Sequence, residues 1–100
     1  MITGKQRAYL RKMAHELQPI IQIGKEGLSD TVIVAIDDAL EKRELIKISI
    51  LETAGIDTRT TCDETAKRLL AEPIQAIGNK FILFRKSQNV KNRKIELPKK

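Results

Sequence analysis

Apolar and polar residues alternate along this chain with two different periods, and the switches between them outline seven elements. Leu10, Met13, Ala14 and Leu17 recur at the i, i+3, i+4, i+7 spacing of a helix with one buried stripe. Thr3 and Gln6 precede them as a T-x-x-Q capping box, which predicts a first helix over 4–17. Pro19-Ile20-Ile21-Gln22-Ile23 is short and rich in β-branched residues, the pattern of a strand. Ser29 then offers an N-cap with an acid, Asp30, just inside the next helix. Val32, Ile36, Ala39 and Leu40 mark the inward stripe of that helix over 30–43, with Asp37, Glu41 and Glu44 outside.

The second half repeats the logic. Over 45–51, Ile46, Ile48 and Ile50 alternate with Lys47 and Ser49, as in a strand with one buried face. After a loop at 54–56, Asp57 or Thr58 caps a third helix over 58–71. Its stripe is Cys62, Ala66, Leu69 and Leu70, and Pro73 stops it. Strands at 74–77 and 80–85 flank Gly78-Asn79, a hairpin signal for a type II′ turn. The order α-β-α-β-α-β-β predicts a single α/β domain. Two right-handed crossovers and a closing hairpin make a small four-stranded mixed sheet with helices packed on it, mostly on one face. Residues 1–85 form this domain. Residues 86–100 form a basic tail, either a short edge strand near 93–98 or a flexible arm.

Charge adds a direction to this picture. The net +6 is uneven: residues 1–25 carry +4, residues 26–84 carry −4 and residues 85–100 carry +6. Positive ends around an acidic middle imply one face for a polyanion and another for water or a protein partner. No apolar run approaches the ~20 residues of a membrane span, and no apolar stretch follows the N-terminal basic residues as in a signal peptide. The single cysteine, Cys62, fits a reducing compartment, so a cytoplasmic location without membrane contact is expected.

The candidate chemistry sits between the first strand and the second helix. Gly24-Lys25-Glu26-Gly27 is a GxxG loop of the kind with which KH domains clamp a nucleic-acid backbone. The glycines allow a sharp turn and close approach, and the helix start beyond them presents free N–H groups to phosphate. Lys25 adds a full charge at the tip, and Glu26 places an acid beside it. Arg7, Arg11 and His15 lie four apart on the first helix with Lys12 adjacent, a spacing that suits a phosphate rail or a solvent face. Arg85 closes the last strand as a further basic neighbour.

Signs of catalysis are few. His15 is the only histidine, and Cys62 falls on a core stripe, so neither a metal cluster nor a nucleophile pair can be assembled. Asp37-Asp38 and Asp63-Glu64 are neighbours that point to different sides of their helices. The GxxG loop lacks the longer spacing of a nucleotide P-loop. The expectation is no enzyme and no cofactor. Tyr9, Phe81 and Phe84 are too few for a base-stacking platform, which favours a grip on backbone over base readout.

Ile21-Gln22-Ile23-Gly24-Lys25-Glu26-Gly27-Leu28, Asp38-Ala39-Leu40, Glu44-Leu45-Ile46-Lys47, the stretch from Gln75 to Arg85 and Lys94-Ile95-Glu96-Leu97-Pro98 together resemble the CRM (chloroplast RNA splicing and ribosome maturation) domain. The likeness runs over nearly the whole chain, and a stand-alone domain of this length is similar to bacterial YhbY-like proteins. The resemblance implies a fold like the C-terminal domain of translation initiation factor 3. It also implies RNA binding through Gly24, Lys25 and Gly27, and association with precursors of the large ribosomal subunit, ribosomal proteins included. Two other readings stay open on the residues: a module docking on a ribosomal protein through the acidic second helix, and a nonspecific nucleic-acid binder.

Overall fold

Four strands form one mixed sheet in the order β1-β2-β4-β3: β1 (Pro19–Ile23), β2 (Leu45–Ile50), β3 (Glu72–Ile77) and β4 (Lys80–Phe84). They belong to a computed structural model that describes residues 2–99. The parallel pair β1 and β2 needs a crossover, which α2 (Asp30–Arg43) supplies. From β2, α3 (Thr58–Leu69) carries the chain to β3 at the far edge. Gly78-Asn79 then returns it as β4, antiparallel to both β2 and β3. Gly78 has φ +59 and Asn79 does not enter the left-handed region, as the expected type II′ turn requires. Ahead of the sheet, α1 (Gly4–Ala14) starts on the Thr3–Gln6 capping box.

Helices cover both faces of the sheet rather than mostly one. α2 and α3 bury Ile36, Leu40, Cys62 and Ala66 against Ile23, Ile46, Ile48, Ile50, Phe81 and Leu83. On the other face, α1 lays Leu10 and Ala14 on Leu45, Ile74, Ile82 and Phe84. Because side chains alternate along a strand, β4 serves both clusters and is buried from Phe81 to Phe84.

Helix ends differ from the spacing-based expectation for identifiable reasons. α1 stops at Ala14, not at 17, since the chain must turn before Pro19 opens β1; Leu17 N–H closes that turn on Ala14 O at 3.1 Å. Met13, expected inside, is 38% exposed, and Gln6 is buried in its stead. Leu70, also expected inside, is 87% exposed: it adopts a left-handed φ of +55 to end α3, while Ala71 N–H reaches Ala66 O at 2.8 Å. The buried stripe of α3 instead includes Thr61 and Thr65. Their hydroxyls donate to Asp57 O and Thr61 O, each at 2.7 Å, so neither is left unpaired.

The largest departure concerns Glu44 and the tail. Glu44, expected on the outer face of α2, is 1% exposed and has φ +65 where α2 turns into β2. Its carboxylate accepts the N–H groups of Ser87 (2.8 Å) and Lys94 (3.2 Å). One turn earlier, Glu41 accepts the Ser87 hydroxyl (2.6 Å) and the N–H groups of Gln88 (3.0 Å) and Asn89 (3.1 Å). Residues 87–97 are therefore neither an edge strand nor a free arm. They form a strap, with a 3-10 turn at Val90–Asn92, that lays Ile95 and Leu97 on the α1-side cluster. Gln6 Nε2 pins its end by donating to Pro98 O at 2.9 Å.

Replacing Glu44 with Gln supplies one acceptor where two are needed and leaves a buried N–H facing an amide. Urea denaturation of Glu44→Gln is expected to show a loss of about 1–3 kcal/mol. The strap is expected to respond to acid. The Ser87 hydroxyl, then the Asn89 and Gln88 N–H groups and the Arg85 charge, hold the Glu41 carboxyl below its ordinary 4.5 despite opposing partial burial. A depressed folded value stabilises above 4.5, and the stabilisation disappears as pH falls through that lower value. Amide NMR signals of Gln88 and Asn89 should shift and broaden in this acid window, before those of β2 and β4.

Candidate nucleic-acid interface

The GxxG segment closes as a single turn. Gly27 N–H donates to Gly24 O at 3.0 Å, and Lys25 and Glu26 at the centre are both exposed. Gly27 sits at φ +66, a conformation that favours glycine, whereas Gly24 does not lie in that region and a Cβ there would meet nothing within 4 Å. The turn itself therefore needs glycine at 27, and the clear space at 24 is available to a ligand. Ser29 then donates its N–H to Gly27 O (3.0 Å) and accepts Val32 N–H on its hydroxyl (3.3 Å), which aims the start of α2 at the loop. Asp57 caps α3 in the same way through Thr60, and those two hydrogen bonds hold its carboxyl below the ordinary range.

Backbone ties bring other elements to this end of the sheet. Leu51 N–H donates to Ile23 O (2.8 Å), Ile50 N–H to Asn79 O (2.7 Å), and the Thr58 hydroxyl to Gly78 O (2.8 Å). The GxxG turn, the β3–β4 hairpin and the starts of α2 and α3 thus share one pole. On the α1 side of the sheet, α1 ends short of that pole. Register aligns Gln22 with Ser49, Ser49 with Lys80, and Lys80 with Ile77 in a row that no helix covers. One row back, Lys47 joins Lys80, His15, Gln75 and Ile77 around a pocket of about 200 Å³. Among the described residues, Lys25, Lys47 and Lys80 make no ion pair.

The other basic residues expected at the site lie elsewhere. Arg7 and Arg11 line a groove along β3, the opposite edge of the sheet from β1. Arg7 is further occupied there, 3.7 Å from Glu72 and donating to Pro73 O. Lys12 is on the exposed side of α1. Arg85 is at the far pole, where it donates to Asp37 Oδ1 (2.7 Å), Leu69 O (3.0 Å) and Asp37 O (3.1 Å) and lies 3.9 Å from Glu41. It fastens α2 to the end of α3. This pairing, with the strap contacts of Glu41 and Glu44, also occupies much of the acidic α2 face that a protein-docking reading would use. Lys47 and Lys80, in contrast, were not among the expected site residues. The signal was present: period-two alternation in β2 sets Lys47 and Ser49 opposite Ile46, Ile48 and Ile50.

Cys62 is 1% exposed, and burial first, then the Asp63 carboxylate against a smaller effect of Arg59, pushes its thiol up to about 12. It is protonated at neutral pH and poorly suited to nucleophilic attack. Among the described residues no three His, Cys, Asp or Glu side chains cluster as a metal site, and no helix is long and apolar enough to cross a membrane.

Residues 2–85 match the family model of the CRS1/YhbY (CRM) domain. The chain belongs to that family. A Bacillus subtilis relative named "Probable RNA-binding protein YqeI" is 43% identical over 98% of this chain and 100% of its own. A Haemophilus influenzae protein named "RNA-binding protein" is 33% identical over 99% of this chain and 97% of its own. The solution structure of a hypothetical protein from Staphylococcus aureus superposes with a TM-score of 0.81 at 42% identity, covering 98% of this chain and 100% of that one. That likeness gives the CRM fold, three helices and a four-stranded mixed sheet, to this chain as well.

Proposed function

We propose that this CRM domain is a non-catalytic RNA-binding protein that holds the phosphate backbone at the GxxG pole and works in the cytoplasm on precursors of the large ribosomal subunit. The observation that carries the RNA-binding part is a coincidence of geometry and charge. An unobstructed Gly24, the N-terminus of α2 and two lysines without ion pairs, Lys25 and Lys80, share one end of the sheet, and Lys47, also without an ion pair, lies one row back. Backbone N–H groups and a helix start fix one phosphate in position, and the lysines extend a cationic path across the bare sheet row. Glu26 points its charge from the same turn and tempers the field at the tip. With only Tyr9, Phe81 and Phe84 as aromatics, and Phe81 and Phe84 buried, base stacking is not the main source of affinity. The relatives named as RNA-binding proteins support the ligand class. The ribosomal assignment rests on the family resemblance.

A Gly24→Val variant tests the loop, since its Cβ meets no protein atom within 4 Å and its branched side chain fills the approach. Filter binding of a structured RNA should weaken about tenfold, ~1.4 kcal/mol, with the thermal unfolding of the protein unchanged. Lys80→Ala should lower the slope of log affinity against log salt by about one contact. In sucrose gradients of a lysate, wild-type protein should travel with large-subunit precursors and Gly24→Val should not. Unchanged RNA affinity in the folded Gly24→Val protein would remove the loop from the site. Wild-type protein confined to the free fractions would remove the ribosomal assignment.

A further inference from the structure

β3 is an edge strand flanked by a helix on each side, and the trough between them is cationic. α1 contributes Arg7 and Arg11 to one wall, and α3 contributes Arg59, Cys62 and Asp63 to the other. The floor is Pro73, Ile74, Gln75 and Ala76 of β3, and the open volume is about 450 Å³. Half of this edge is blunted in the usual manner of exposed strands: Pro73 lacks an N–H, and its carbonyl is taken by Arg7. The other half is open. The two-residue turn makes Ile77 and Lys80 the hydrogen-bonded pair, so the next residue, Ala76, turns its N–H and C=O away from β4 toward the trough.

We propose that this edge docks an extended, acidic segment of a partner protein, which adds to β3 as a fifth strand. Main-chain groups of the segment pair with Ala76, as in other complexes formed by strand addition. Successive side chains of an added strand point to opposite faces. Acids on one face meet Arg11, and acids on the other meet Arg59. Arg11 has no ion pair among the described residues, and Arg59 reaches Asp63 only at 3.6 Å with both side chains more than half exposed, so these charges are available. The trough favours a peptide over RNA because its floor is a strand edge whose Ala76 N–H and C=O face outward, a donor–acceptor pair that the main chain of a peptide matches and a sugar–phosphate backbone does not. The open stretch from Gln75 to Ile77 is about 10 Å long, room for three residues.

The test uses the full chain and a fluorescein-labelled octapeptide of mixed Glu, Val and Thr, with a Gln-for-Glu peptide as the neutral control. Fluorescence anisotropy should show saturable binding of the acidic peptide alone. The Arg11→Ser/Arg59→Ser variant, with unfolding temperature matching the wild type, should bind it at least tenfold more weakly. Hydrogen exchange at Ala76 N–H should slow at saturating peptide. Equal binding or no binding of the two peptides, or unchanged exchange at Ala76, would overturn the proposal. So would full displacement of the peptide by a short single-stranded RNA together with RNA protection of Ala76, which would make the trough part of the RNA surface.

Discussion

β2 and β4 pair at the centre of the sheet with helices packed on both faces, and most of the molecule follows from that burial. Both strands must offer apolar side chains to two layers wherever helices cover them, and may turn polar only where cover ends. Cover ends first on the α1 side, because α1 stops at Ala14 to let the chain turn into β1. There Ser49 and Lys80, register partners on β2 and β4, come to the surface beside Gln22. The same covering helices place the starts of α2 and α3 at this pole. Polar sheet row, helix starts and GxxG turn are thus consequences of a single packing arrangement.

The opposite pole has a different chemistry. Here the C-terminal end of α2 meets the strap, and Glu41 and Glu44 receive four backbone N–H groups between them. Arg85 adds its guanidinium to Asp37 and to the last carbonyl of α3. The acids at this end are satisfied internally, Glu41 and Glu44 by backbone N–H groups and Asp37 by Arg85. In the proposed reading the GxxG end is distinguished by its loop turn and helix start and not by free cations, since Lys86, Lys91 and Lys94 of the tail also make no ion pair among the described residues.

Much of this was legible from residue order. The strand at Pro19–Ile23, the helix at Asp30–Arg43, the capping box and the Gly78-Asn79 turn are local signals, each set by neighbours within a few positions. Errors arose where a distant part of the chain decides. Glu44 has the helical position of a solvent residue, and its burial depends on N–H groups more than 40 residues later. Leu70 fits an apolar stripe by spacing, but the helix ends there and its backbone reverses. Arg7, Arg11, Lys12 and Arg85 join the loop by charge and helical spacing, and neither says which sheet edge a residue reaches. Strand alternation would have nominated Lys47, because it states a face as well as a charge.

Backbone chemical-shift mapping of the isotopically labelled protein with a structured RNA most directly tests whether the GxxG pole is the RNA surface. The account expects the largest changes at Gly24 to Ser29, Gln22, Lys47, Ser49 and Lys80, with the strap and the Arg85 pole unmoved. Changes centred on residues 86–97 and Arg85, with the GxxG turn silent, would contradict it.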